Sequence, residues 1–192
     1  YKHTNKQTNK QTNKQTNKQT NKQAISRRTF RLHFAKFHAG QFQTDHDFHA
    51  IALPQVGPGK SARFETHARD EGRLRVTGNP ADAYKFRTPS LRNIAQTAPY
   101  GHNGAYTTLE GIVRHHLNPR SALDSWQRQM ANLPKAKWLE KIDFAVWDDR
   151  LEMARYRAKS DIKPRELADD EIAAFAAIAW GAWKAYDDWG AQ

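Results

Sequence analysis

The sequence predicts a mainly α domain with long loops, standing behind a disordered tail. Three observations predict it. Helix-start chemistry recurs at several points of the chain, with apolar residues at helical spacing behind two of them. Period-two strands joined by hairpin turns are missing. Residues 4–23 are five copies of Thr-Asn-Lys-Gln without one apolar residue, so nothing there can bury surface to offset chain entropy.

Taken in order, residues 1–23 read as the disordered tail and residues 24–192 as one folded domain. Between Leu53 and Asn79, Gly and Pro punctuate a loop with short extended pieces. Thr88-Pro89-Ser90-Leu91-Arg92-Asn93-Ile94 predicts a helix start, with Thr88 as N-cap and Pro89 at the first helical position. Thr107-Thr108-Leu109-Glu110 reads as a capping box, Glu110 lying three residues after Thr107. Behind it Leu109, Ile112, Val113, His116 and Leu117 share one face. A last helix opens at Asp169-Asp170-Glu171, acids that suit the positive end of the macrodipole. Its stripe is Ile172, Phe175, Ala176, Ala179 and Trp183, with Trp180 and Trp183 expected to pack it. The stretch 121–165 carries no legible signal.

Composition narrows the function. The formal net charge is +11, yet six lysines lie in the tail, and subtracting them leaves +5 for residues 24–192. A nucleic-acid partner is therefore unlikely. No apolar run approaches the roughly 18–20 residues of a membrane span. The chain starts at Tyr1 and no charged-then-apolar leader follows, so no signal peptide is read and the sequence looks like part of something longer, or one with a misplaced start. There is no cysteine, which excludes disulfides, Cys-ligated zinc, iron–sulfur clusters and thioether-linked haem.

Nine histidines invite a metal hypothesis. His46 and His49 could share a helical turn, but Asp45 and Asp47 beside them suggest a solvated polar loop. His116 lies within about 20° of Leu109 around the helix, whereas His115 points roughly 120° away. Read alone, that position suits a hydrogen-bonded core histidine better than a ligand. Gly57-Pro58-Gly59-Lys60 lacks P-loop spacing, and no HExxH or GxSxG is present.

A longer pattern changes that balance. Phe86-Arg87-Thr88-Pro89-Ser90-Leu91-Arg92-Asn93-Ile94, then Thr97-Ala98-Pro99-Tyr100-Gly101-His102-Asn103-Gly104 and Thr108-Leu109-Glu110 resemble the C-terminal haem domain of the di-haem cytochrome c peroxidase family. His115-His116-Leu117-Asn118-Pro119 is most similar to its methylamine-utilisation (MauG-type) branch, and Asp169-Asp170-Glu171-Ile172 to its closing helix. Ala39-Gly40, Phe42, Thr44-Asp45, Phe48-His49 and Leu53-Pro54-Gln55 resemble the stretch after the haem-attachment motif. The likeness runs over about residues 33–186. It implies a cytochrome c-like fold, haem as cofactor, a small redox protein as electron donor and a periplasmic location.

Residue by residue, the resemblance implies His38 as proximal iron ligand and His116 at the position of the ligand on the far side. Arg92 is implied as a partner of a haem propionate, or else is a helix-surface charge. Backbone oxygens of Thr97 and Pro99 are implied as ligands of a calcium ion, whose remaining ligand belongs to the family's N-terminal haem domain. The sequence reads as lacking that domain, with the repeat tail in its place. The departure from the family falls at Phe34-Ala35-Lys36-Phe37-His38, where it has Cys-x-x-Cys-His and this chain has two phenylalanines. Two functions follow. One is the electron-transfer half of a peroxidase, with haem at most non-covalent, no catalytic residue of its own and no turnover alone. The alternative is a non-catalytic remnant without haem.

Overall fold

A computed structural model of the chain describes residues 36–38, 41–57, 69–137, 139–173 and 176. The repeat tail, Phe34, Phe175, Ala179, Trp180 and Trp183 lie outside the described residues. The elements run β1 (Phe48–His49), α1 (Leu74–Thr77), β2 (Phe86–Arg87), α2 (Leu109–Leu117), α3 (Pro119–Ser125), α4 (Ala145–Asp148) and α5 (Arg150–Ala158), with single 3-10 turns between. Residues 169–173 and 176 are again helical. Helix thus outweighs strand, and β1 pairs antiparallel with β2, Phe48 opposite Arg87.

Local chemistry explains where α2 begins and ends. Thr108 Oγ1 accepts from the Gly111 amide at 3.1 Å, filling one of the vacant donors of the first turn. The N-cap is therefore Thr108 and not Thr107, and Glu110 lies in the first turn instead of closing a reciprocal box. Asn118 ends α2 and its Oδ1 accepts from Ser121 N at 3.2 Å, while Pro119 opens α3. In the closing helical stretch, the Glu171 carboxylate reaches back to accept from Ala168 N at 3.0 Å.

The helix expected from Thr88 does not form. Phe86–Arg87 pairs as strand, and the Thr88 amide donates to Asp47 O at 2.9 Å. Thr44 Oγ1 donates to the Thr88 carbonyl at 2.8 Å. A residue before proline favours extended backbone, and the β1 pairing holds it there. Helical structure is limited to the 3-10 turn Ile94–Gln96. The 53–79 loop, in turn, contains the one-turn helix α1, which ends on Gly78 at φ +67.

Three apolar clusters position the site. Leu109 and Ile112 of α2 join Leu53, Val56, Tyr100, Tyr106, Trp126 and Ala176. Val113 and Leu117, further round the helix, meet Ile172 of the closing stretch. Ala52, Ala83, Tyr84, Leu123 and Tyr156 tie α3 and α5 to the loops. Next to this third cluster Glu152 is buried, accepting from Tyr84 Oη and from Arg69 Nη1. The 121–165 stretch, silent in sequence, thus contains the end of α3 and all of α4 and α5, separated by turns and loop, and is anchored through a buried carboxylate. Among the described residues no helix is long and apolar enough to cross a membrane.

Candidate functional site

The residues of the Tyr100–Tyr106 stretch act first as scaffold. Tyr100 and Tyr106 exchange backbone hydrogen bonds at 2.7 and 3.1 Å, and the chain turns between them. Gly104 has φ +75, and a Cβ there would lie 3.0 Å from Pro99 Cγ, so only glycine fits without a shift. Asn103 Nδ2 donates to the carbonyls of Pro54 and Val56 at 2.9 and 3.1 Å. His102 Nε2 meets Asp70 Oδ2 at 2.8 Å, its ring tilted over Phe86. These contacts gather the 53–56 segment, the 70–72 segment and β2 around the start of α2.

Against that scaffold lie three histidines. His38 is 4% exposed and its Nδ1 donates to the Gln43 carbonyl at 3.2 Å. His116 is half-buried, and its Nδ1 donates to the Ile112 carbonyl at 2.8 Å, one turn back in α2. The centroids of the two rings are 6.4 Å apart, with an interplanar angle of 62°. His115 has no exposed surface; Tyr106 Oη donates to its Nδ1 at 2.8 Å and its Nε2 donates to Ile51 O at 2.6 Å.

The burial order reverses the expectation from helical angle. The buried face of α2 is Leu109, Ile112, Val113, His115 and Leu117, with His115 in the place expected for His116. Angular counting locates a residue around one helix, but the loops that cover it decide its burial. Here the Ile51 segment and Tyr106 close over His115 and satisfy both nitrogens.

All three imidazoles are neutral at pH 7. Burial pulls His38 below the usual value, opposed by the Gln43 and Pro89 carbonyls and by Asp45. Burial lowers His116 to about 4, helped by the neighbouring His38, with the Ile112 carbonyl opposing. His115 falls to about 3, again through burial first. Neutral imidazole is the form that binds metal, and a ligand histidine characteristically donates its other N–H to a carbonyl. His38 and His116 meet both conditions.

The remaining candidates lie elsewhere. Arg92 is exposed and its Nη2 donates to Gln41 O at 3.0 Å, anchoring the loop after His38. Thr97 and Pro99 flank a cis Ala98–Pro99 bond in an exposed loop. His49 pairs with Asp45 at 2.8 Å and His46 accepts from Arg87, the polar loop the sequence suggests. Phe37 lies edge-on against His49, ring centroids 4.4 Å apart. Trp126 and Trp147 pack edge-on, ring centroids 4.6 Å apart. Among the described residues no three His, Cys, Asp or Glu gather to hold a bare metal ion.

Comparison with known proteins fits this geometry. No protein-family model matches the chain. The cytochrome-c peroxidase IdrP1 of Pseudomonas sp. (strain SCT) is 51% identical over 51 residues, 27% of this chain and 14% of that protein. The methylamine utilization protein MauG of Paracoccus denitrificans (strain Pd 1222) is 30% identical over 131 residues, 66% of this chain and 30% of that protein. The crystal structure of a MauG-like protein associated with microbial copper homeostasis superposes with a TM-score of 0.51 at 25% identity, covering 82% of this chain and 45% of that one. The architecture is helix-rich with a small two-stranded sheet, as in its MauG-like structural neighbour. Over these stretches the chain is similar to cytochrome c peroxidases and to MauG-type proteins. It spans less than a third of the length of either curated relative.

Proposed function

We propose that this chain is the electron-transfer haem domain of a di-haem peroxidase-type protein and that it holds haem without a covalent bond, between His38 and His116. The observation that carries the reading is the pair of rings, 6.4 Å between centroids, each with Nδ1 committed to a backbone carbonyl. Two metal–imidazole bonds of about 2.0 Å, with the ring radii added, put centroids roughly 6 Å apart. The observed 6.4 Å separation is close to that value and supports the reading. When bound, haem supplies a one-electron iron couple tuned by its axial ligands and its burial.

His38 and His116 bind and orient in this reading, and burial keeps both ready as neutral ligands. Phe37, against His49, is packed by that ring. Arg92 is the candidate partner for a propionate, and the Thr97 and Pro99 carbonyls are candidates for calcium. A second haem domain, a small redox protein as donor and a periplasmic setting complete the proposal by family likeness.

The absence of any cysteine favours a second reading, a remnant that binds no haem. Adding haem and recording the Soret region separates the two. The expected spectrum is six-coordinate, low-spin and bis-histidine. Replacing His116 with alanine should convert it to five-coordinate high-spin, and replacing His38 should abolish binding. No Soret shift in the parent chain establishes the remnant; a shift that neither substitution alters refutes the ligand assignment.

A further inference from the structure

We propose that Tyr106 and His115 are positioning residues that fix the rotation of α2 about its axis and so aim His116 at His38. This rests on reading His116 as an axial ligand. His116 bonds within its own helix, Nδ1 to Ile112 O, so its ring direction follows α2 as a body. The apolar contacts of Leu109, Ile112, Val113 and Leu117 hold that helix without directional preference. Directional bonds are supplied by the residue before His116. His115 accepts from Tyr106 Oη on one side and donates to Ile51 O on the other.

Gly111 shows how closely Tyr106 is fitted to the helix. A Cβ at this position would lie 3.0 Å from Tyr106 Cδ1 and 3.1 Å from Thr108 Oγ1. The phenol thus lies close over the first turn, and a methyl group at residue 111 would push it aside by a few tenths of an ångström. From there it reaches His115, one turn further on the same face. The lever is short and the tolerance small. At the 5–6 Å radius of a helix with its side chains, a rotation of about 10° moves a ring by about 1 Å. Metal–ligand distances are held within roughly 0.2 Å. Loss of either bond to His115 would misplace the next residue's ring without removing it.

The test uses the full chain with two readouts, the spin state of added haem and the ring-nitrogen NMR signals of His116 in the haem-free protein. Tyr106→Phe removes one oxygen and keeps the ring. It should shift or broaden the His116 ring signals and at least halve the low-spin fraction. Gly111→Ala, which displaces the phenol, should do the same. Leu117→Ala is the control for general loosening; it should lower the melting temperature and leave both readouts near the parent's. The proposal is overturned if Tyr106→Phe and Gly111→Ala leave the His116 signals unchanged, or if Leu117→Ala alters them as much. Should the parent take up no haem, the proposed function fails, while the His116 ring signals still decide the positioning role.

Discussion

At the scale of single residues the controlling fact is the cost of charging a buried imidazole. His115 and His116 titrate near 3 and 4 in the folded chain, against an ordinary value of about 6.5 when unfolded. Below pH 6.5 the unfolded chain takes up protons that the folded chain refuses. Their contribution to stability is thus complete above about pH 6.5 and is lost as pH falls toward 4 and then 3. Each group removes up to about 1.4 kcal/mol per pH unit across its window. The melting temperature of the haem-free chain should accordingly drop steeply from pH 6.5 to 4. A flat profile there would show that these rings are not buried neutral. Haem ligation would deepen the dependence, since protonated imidazole cannot bind iron.

Elements are held by caps more than by length, because no helix lying wholly within the described residues exceeds nine residues. Asp149 Oδ1 accepts from the amides of both Leu151 and Glu152 at 3.0 Å, and Thr108 serves α2 in the same way. Replacing either with alanine should cost about 1 kcal/mol in chemical denaturation. Thr108→Ala should also disturb haem ligation, whereas Asp149→Ala should not, because α5 carries neither histidine. Sequence located α2 to within one residue, since Thr107 and Thr108 are equally good caps and only the backbone selects between them. It misplaced the helix at Thr88 because a partner 41 residues earlier, Asp47, claims that amide.

On the scale of the whole molecule, long-range polar contacts join parts that no local pattern connects. Glu152 of α5 receives Tyr84 and Arg69 from far upstream. Glu152→Ala would leave the Tyr84 hydroxyl buried without its acceptor and Arg69 without its ion pair. Arg69 is partly exposed, so water softens the loss, and about 3 kcal/mol is expected, at the low end for a broken buried pair. A denaturation midpoint unchanged by Glu152→Ala would contradict it. The chain as a whole should also show no haem adduct in mass spectrometry after denaturation, because it has no cysteine sulfur for a thioether. If His38 and His116 both hold the iron, as proposed, neither side would be left open to peroxide, so peroxide-dependent oxidation of a reduced cytochrome should be negligible. Robust turnover would refute the bis-histidine assignment.

Sequence by itself determined what composition and local chemistry can determine. The absence of cysteine rules out thioether attachment whatever the fold, and the cap, apolar spacing and Asn118-Pro119 break define α2 because each acts within a turn or two of chain. The resemblance, running over about residues 33–186, brought His38 and His116 together as candidates. Tertiary structure decided that these two rings lie edge-on with centroids 6.4 Å apart, that His115 and not His116 is fully enclosed, and that short helices of the 121–165 stretch pack beside a buried carboxylate. Helical periodicity assigns angles about one axis, but burial depends on which distant segments pack against each side, and that sum over the whole chain has no local signature.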